Sequence, residues 1–268
     1  MKDKFFTRFD VPITGHSLPE KFTCSFDNQT DNQTDNQIDN EPHKLCLLAT
    51  TQLQKYLSTQ QEWTHNFGLI EGQEGTIIGK MFGVLVVKTD QNEIGFLAAF
   101  SGKLAGSNTH SAFVPPVFDM LTEDSFLNNG MINLAHINLE INTLEQDKTE
   151  NKDKINEKIS ILKKLRKENS ISLQEKIFES YHFVNEAGKS KSLKEIFRDT
   201  LNTNPPSGAG ECAAPKLLQY AFQNKMQALA MAEFWWGLSP KSDFWQHKHF
   251  YLPCKEKCMP ILSYMLSL

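Results

Sequence analysis

The chain has 268 residues, enough for one large domain or two small ones with a real core. Hydrophobic residues make up 40% and charged residues 22%, a globular balance, and the net charge of −4 argues against a strong autonomous nucleic-acid binder. No apolar run approaches the roughly 20 residues that span a bilayer and no signal-peptide core opens the chain, so a cytoplasmic protein without membrane contact is expected.

The first 25 residues mix aromatics with Pro12 and Pro19 and read as an extended, packed arm. A near-repeat, DNQTDNQTDNQIDNE, follows over 27–41 with almost no apolar content. It cannot bury enough surface to fold and is expected to be a disordered insertion. Its acids lack the spacing of a calcium loop. From Leu45 to Leu57 the apolar residues recur at helical spacing. The stretch 62–70 reads as a loop or short strand. Thr76 to Thr89 is rich in β-branched residues, Asp90 to Glu93 turns the chain, and IGFLAAFSG returns, which predicts an antiparallel hairpin of buried strands. Val114-Pro115-Pro116-Val117 marks a boundary.

Between about 129 and 169 the composition shifts to Lys, Glu, Asp and Asn, while Ile155, Ile159, Leu162 and Leu165 keep helical spacing. A long charged helix or helical hairpin is expected there, then a second helix over 172–184, all as one insertion over about 129–184 of a single domain. The run Lys163-Lys164-Leu165-Arg166-Lys167 admits an RNA-binding face or a solvated outer face balanced by nearby acids. Residues 202–210 form a loop that delivers the chain to a helix beginning near Cys212, with Pro215 in its first turn. Residues 227–237 read as a strand in which Trp235 and Trp236 face opposite sides, so at least one is core. An apolar helix follows from Cys258 to Leu266.

Five cysteines, an odd and scattered number, suit thiols or metal ligands rather than a disulfide framework. Cys212, Cys254 and Cys258 fall at predicted helix starts, where the dipole and unpaired N–H groups favour a thiolate. The order is helix with one ligand, strand, helix with two. It resembles the zinc-binding core of the nucleobase deaminases, with zinc as the implied cofactor. Two departures stand out. A deaminase needs a carboxylate two residues after its first ligand, and position 214 is Ala. The second pair is Pro253-Cys254-x-x-x-Cys258, one residue longer than the family's spacing. Glu211 and Glu233 are the nearest other acids, and neither is an evident substitute. His247 and His249 are candidates for a fourth ligand. The alternative is that all three cysteines are simply small buried residues.

Longer blocks carry a second resemblance. GKMFGVLVV from Gly79, FLAAFSGKL from Phe96, FVPPVFD from Phe113, Gly208 through Leu218, MAEFWWG from Met231, and Tyr251 through Leu262 resemble the N-terminal region of long-form, RluA-type RNA pseudouridine synthases. The catalytic Arg-Leu-Asp motif of that family occurs nowhere in the sequence. The resemblance therefore implies the accessory half, a fragment or a separately encoded part, partnered with a catalytic domain in cis or trans. Isomerisation by this chain alone is not expected. The combined expectation is an α/β, three-layer α-β-α domain with a cytidine-deaminase-like mixed sheet. It would hold structured RNA weakly through Lys103, Lys163, Lys164, Arg166, Lys167 and Lys216. A zinc hydrolase with another carboxylate and a protein-interaction module are the rival readings.

Overall fold

A computed structural model describes residues 3–24, 41–119, 126–146, 152–198, 200 and 203–267. The low-complexity stretch, but for Glu41, lies outside these residues. The chain divides into two compact units, residues 1–117 with 182–268, and residues 118–181. The boundary falls at the Val114–Val117 segment, as the two prolines predict. Among the described residues, no helix is long and apolar enough to cross a membrane.

The larger unit is built on the predicted hairpin, β3 (Lys80–Lys88) and β4 (Ile94–Phe100), turned at Asn92 with φ 60°. Residues 76–79 stay outside the strand, so the predicted β segment is shortened at its start. Strand β7 (Gln227–Trp236) pairs antiparallel with β3, and the short strand β1 (Thr7–Arg8) pairs antiparallel with β4. On the far edge of β7 lie β2 (Thr23–Cys24), parallel, and β8 (Phe250–Tyr251), antiparallel. The sheet is mixed, in the order β1-β4-β3-β7-β2 with β8 beside β7. The N-terminal arm is packed at its two short strands, with Phe6 beside the first and Cys24 in the second buried, and most of residues 10–21 are exposed rather than packed as expected.

Alternation along the central strands assigns two different faces. Phe82, Val84 and Val86 of β3 share a side with Ala230, Ala232, Phe234 and Trp236 of β7. Helix α1 (Lys44–Thr59) covers that side through Leu45, Cys46, Ala49, Leu53 and Leu57. Leu48, expected on the inward stripe, is only half-buried because Ala49 and Cys46 face the sheet. The opposite side presents Gly83, Leu85, Met231 and Glu233 to helix α5 (Ala213–Gln223), against which α6 (Cys258–Met265) packs. This is an α/β architecture with helices on both faces of a mixed sheet. A two-stranded sheet of β5 (His182–Val184) and β6 (Ser190–Ser192), with helix α4 (Leu193–Arg198), lies against α6.

The smaller unit is a helical hairpin of α2 (Phe126–Gln146) and α3 (Lys152–Ser180). One continuous helix replaces the separate second helix expected over 172–184, and residues 182–184 form strand β5 instead. No proline or glycine interrupts 152–180, so nothing in the chain ends α3 earlier. Ile155 is buried and Ile159 and Leu162 are half-buried, while Leu165 is exposed.

Candidate metal centre

Helix α5 sits close to the sheet because β3 has no side chain at Gly83. A Cβ there would stand 3.0 Å from Leu217 Cδ1 and 3.1 Å from Ala213 Cβ. Small residues on both elements, Gly83 against Ala213 and Ala214, let the first turn of the helix rest on strands β3 and β7. Cys212 is the N-cap of α5, with extended backbone and no side-chain cap bond. The cap comes from the neighbouring strand, where Glu233 Oε1 accepts the Ala214 N–H at 3.1 Å. A carboxylate at the positive end of a helix is favoured by both the hydrogen bond and the dipole.

The second pair is arranged by a turn rather than by a helix start. The N–H groups of Cys258 and Met259 both donate to the Cys254 carbonyl at 3.1 Å. Cys254 thus lies one helical turn before α6, and the four-residue spacing puts its sulfur 3.4 Å from that of Cys258. The sulfur atoms of Cys212, Cys254 and Cys258 all lie within 4.8 Å of one another. No disulfide joins any of the five cysteines.

This trio suits a thiophilic ion. A tetrahedral zinc with sulfur ligands at about 2.3 Å holds its sulfurs roughly 3.8 Å apart, the scale of this cluster. Hydrogen bonds from the Cys212 and Cys258 thiols, aided by the backbone N–H groups of Cys258 and Lys257, hold the Cys254 thiol well below its ordinary pKa. Hydrogen bonding within the trio, with burial, pushes the Cys212 and Cys258 thiols up. A dication bound by three cysteines takes them as thiolates and releases their protons. Of the two buried cysteines outside the trio, Cys24 and Cys46, the Cys46 thiol is pushed up to about 12 by burial alone.

Neither histidine joins the cluster. His247 Nδ1 accepts the Gly237 N–H at 3.0 Å and its ring lies 4.5 Å from that of Trp236. The carbonyl of His249 accepts the Trp235 N–H. Among the described residues, the three cysteines are the cluster able to hold a metal, which leaves a fourth coordination position without a protein ligand.

Glu233 is the residue that sequence reading passed over. It is 5% exposed, and burial raises its pKa to about 7, against the lowering bond from Ala214. The available signal was strand alternation. Ala232 and Phe234 belong to the α1 face, so Glu233 points to the face that receives Cys212. That inference needs to know which helix lies on which side, and the sequence does not give it. Glu211 is committed elsewhere. Its carboxylate lies 3.7 Å from Lys216 Nζ, and its carbonyl accepts the Gly102 N–H.

Lys216, expected among RNA-contacting cations, is 2% exposed and donates to the Phe100 carbonyl at 3.2 Å. Its burial removes it from any phosphate. The reason is its place in the first turns of α5, which face the sheet. Lys103 is exposed at the end of β4, near enough to Glu211 to act on its charge. In the helical unit Lys163 pairs with Glu145 at 3.0 Å, and Arg166 donates to Asn138 at 2.8 Å. Lys163, Arg166 and Lys167 line one cavity of about 540 Å³ with Asn138 and Ser170, and Lys164 is exposed. Trp236 is core, as one of the pair had to be. Trp235 stacks on Trp245 and lines a cavity of about 690 Å³ with Ile77, Ile78 and Leu238.

No family model matches the chain, and no curated protein or solved structure matches it.

Proposed function

We propose that this chain is a zinc-binding domain of cytidine-deaminase-like architecture that serves RNA modification, as the accessory half of an RluA-type pseudouridine synthase. The observation that carries the reading is the convergence of three sulfurs from the two ends of a helix–strand–helix unit laid on one sheet face. Cys212, Cys254 and Cys258 would hold the ion. Zinc supplies a cross-link between the starts of α5 and α6, and Lewis acidity at its fourth position. Around it, Gly83 sets the depth of α5, Glu233 caps the helix, and the Lys216–Glu211 pair anchors the preceding loop to β4. RNA would be held weakly through Lys103, Lys163, Lys164, Arg166 and Lys167, and usefully only when tethered to a catalytic domain, which raises its effective concentration. The acidic net charge accords with weak, tethered binding rather than autonomous binding.

Two measurements test this. Protein purified without added metal should carry near-stoichiometric zinc, lost in a Cys212→Ala, Cys258→Ala double variant. Binding to tRNA and rRNA fragments should be weak, salt-dependent, and strengthened when an RluA-type catalytic domain is supplied. Metal-free, stably folded protein would refute the zinc centre, and salt-independent or absent RNA binding with the catalytic domain present would refute the RNA role. A deaminase-like zinc hydrolase is the second reading, favoured by the buried Glu233 carboxylate at the first ligand's helix. An exposed Ile155–Ile159–Leu162 stripe would favour the protein-interaction reading, and those residues are buried or half-buried.

A further inference from the structure

Glu233 interrupts an apolar run, Met231-Ala232-Glu233-Phe234, in a central strand. It faces Gly83 on one side and Tyr251 on the other. Among the described residues it takes part in no ion pair. A carboxylate buried without a cation costs several kcal/mol, which packing alone does not return. The nearest unusual chemistry is the cysteine trio. The carboxylate reaches that side of the sheet, where it accepts the Ala214 N–H two residues after Cys212 at 3.1 Å. Three sulfurs converge at the start of α5, and a buried carboxylate without an ion pair is hydrogen-bonded to the same turn of that helix.

The position of the carboxylate is also specific. Its Oε1 is fixed on the N–H of Ala214, the helix residue two places after Cys212, where the side chain ends at Cβ. Gly83 lies beside it, and a Cβ there would stand at ordinary contact distance, 3.5 Å, from Glu233 Cγ. Among the described residues the ligand set is the three cysteines, and Glu233 stands outside it.

We propose that Glu233 is the carboxylate of this metal centre, delivered from strand β7 to the place where helix α5 carries only Ala214, and that it acts beside the ion as its outer acid–base group. The inference rests on the zinc reading above. It predicts opposite signs for two properties of Glu233→Gln, a change that preserves shape and removes charge. Zinc affinity falls about 10–100-fold, the usual effect of losing an outer partner of a metal site. The metal-free protein melts no lower than wild type, because an uncompensated buried charge has been removed. A purely structural cap gives the other pattern, a lower metal-free melting temperature with zinc affinity unchanged.

The experiment is zinc affinity by chelator competition and metal-free melting for wild type, Glu233→Gln, and the exchange variant Ala214→Glu with Glu233→Ala. The exchange moves the carboxylate to the helix and should recover most of the lost affinity. Wild-type affinity in Glu233→Gln, with zinc bound stoichiometrically, overturns the proposal and leaves the zinc reading standing. If wild type itself binds no zinc, the zinc reading fails and this inference falls with it. Should the exchange variant not fold, the two opposed readouts of Glu233→Gln decide alone.

Discussion

Gly83→Ala is the most direct test of how the site is assembled. The added Cβ meets Leu217 Cδ1 at 3.0 Å and Ala213 Cβ at 3.1 Å, against an ordinary carbon contact of about 3.5–4.0 Å. Leu217 can turn its methyl away, but Ala213 Cβ is fixed to the backbone of α5. Strand β3 cannot retreat, since β4 and β7 hold it on both edges. Helix α5 must therefore lift by several tenths of an ångström. Overpacking of this kind costs about 1–3 kcal/mol. Alanine returns about 0.4–1 kcal/mol by restricting the unfolded chain, because Gly83 has no left-handed backbone to lose. The net loss is about 1–2 kcal/mol, a fall in melting temperature of roughly 2–8 °C for a unit of this size. Calorimetry on metal-free protein reads that loss. Because Ala213 follows Cys212 directly, zinc affinity by chelator competition should fall as well. Unchanged melting together with unchanged affinity would show that Gly83 does not set the depth of α5, and the packing argument would fail.

Zinc at 1,000 times its dissociation constant should stabilise the protein by about 4 kcal/mol, and Cys258→Ser should abolish the effect in thermal scans. A shift that survives the substitution would place the metal elsewhere. Iodoacetamide should leave Cys46 unmodified in the native protein, since it is fully buried with a thiol pushed up to about 12, and mass spectrometry of native and denatured samples checks this. Glu195 closes a capping box on Ser192 at the start of α4, and its bonds to the Ser192 N–H and hydroxyl hold its pKa below the ordinary 4.5. A lowered carboxylate stabilises the fold above its unfolded pKa and loses that effect as pH falls through the folded one. The melting difference between wild type and Glu195→Ala should accordingly be full at neutral pH and vanish in acid. A difference that persists in strong acid would refute the cap. Replacing Lys163, Arg166 and Lys167 by Gln should flatten the salt dependence of RNA binding by up to about one log unit per lost phosphate contact, measured by titration at several salt concentrations. An unchanged slope would exclude that groove.

The helical hairpin shows where periodicity stops being informative. Hydrophobic spacing located it, but its charged composition gave the helices no clear end, and α3 runs unbroken to Ser180 through the place where a separate helix over 172–184 was expected to begin. The basic run illustrates the same limit. Lys163 and Arg166 are engaged by Glu145 and Asn138 of α2, partners 18 and 28 residues away that no local pattern could supply.

Strand alternation, the proline-marked boundary, and the placement of α1, β3, β4, β7, α5 and α6 were all written in the chain. They follow from local periodicities, which the sequence carries directly. The three cysteines were likewise legible as a set, because their order around two helices and a strand is carried by the chain itself, although Cys254 lies in a turn before α6 rather than at a helix start. Which faces met, and what lay between them, was not. Lys216 looked like a surface cation and is buried. Glu233 looked like an isolated strand acid and reaches the helix that bears Cys212. Both outcomes depend on Gly83 letting α5 descend onto one side of the sheet while α1 takes the other. That choice is made by packing between segments more than a hundred residues apart, and distances between such segments exist only once the chain has folded.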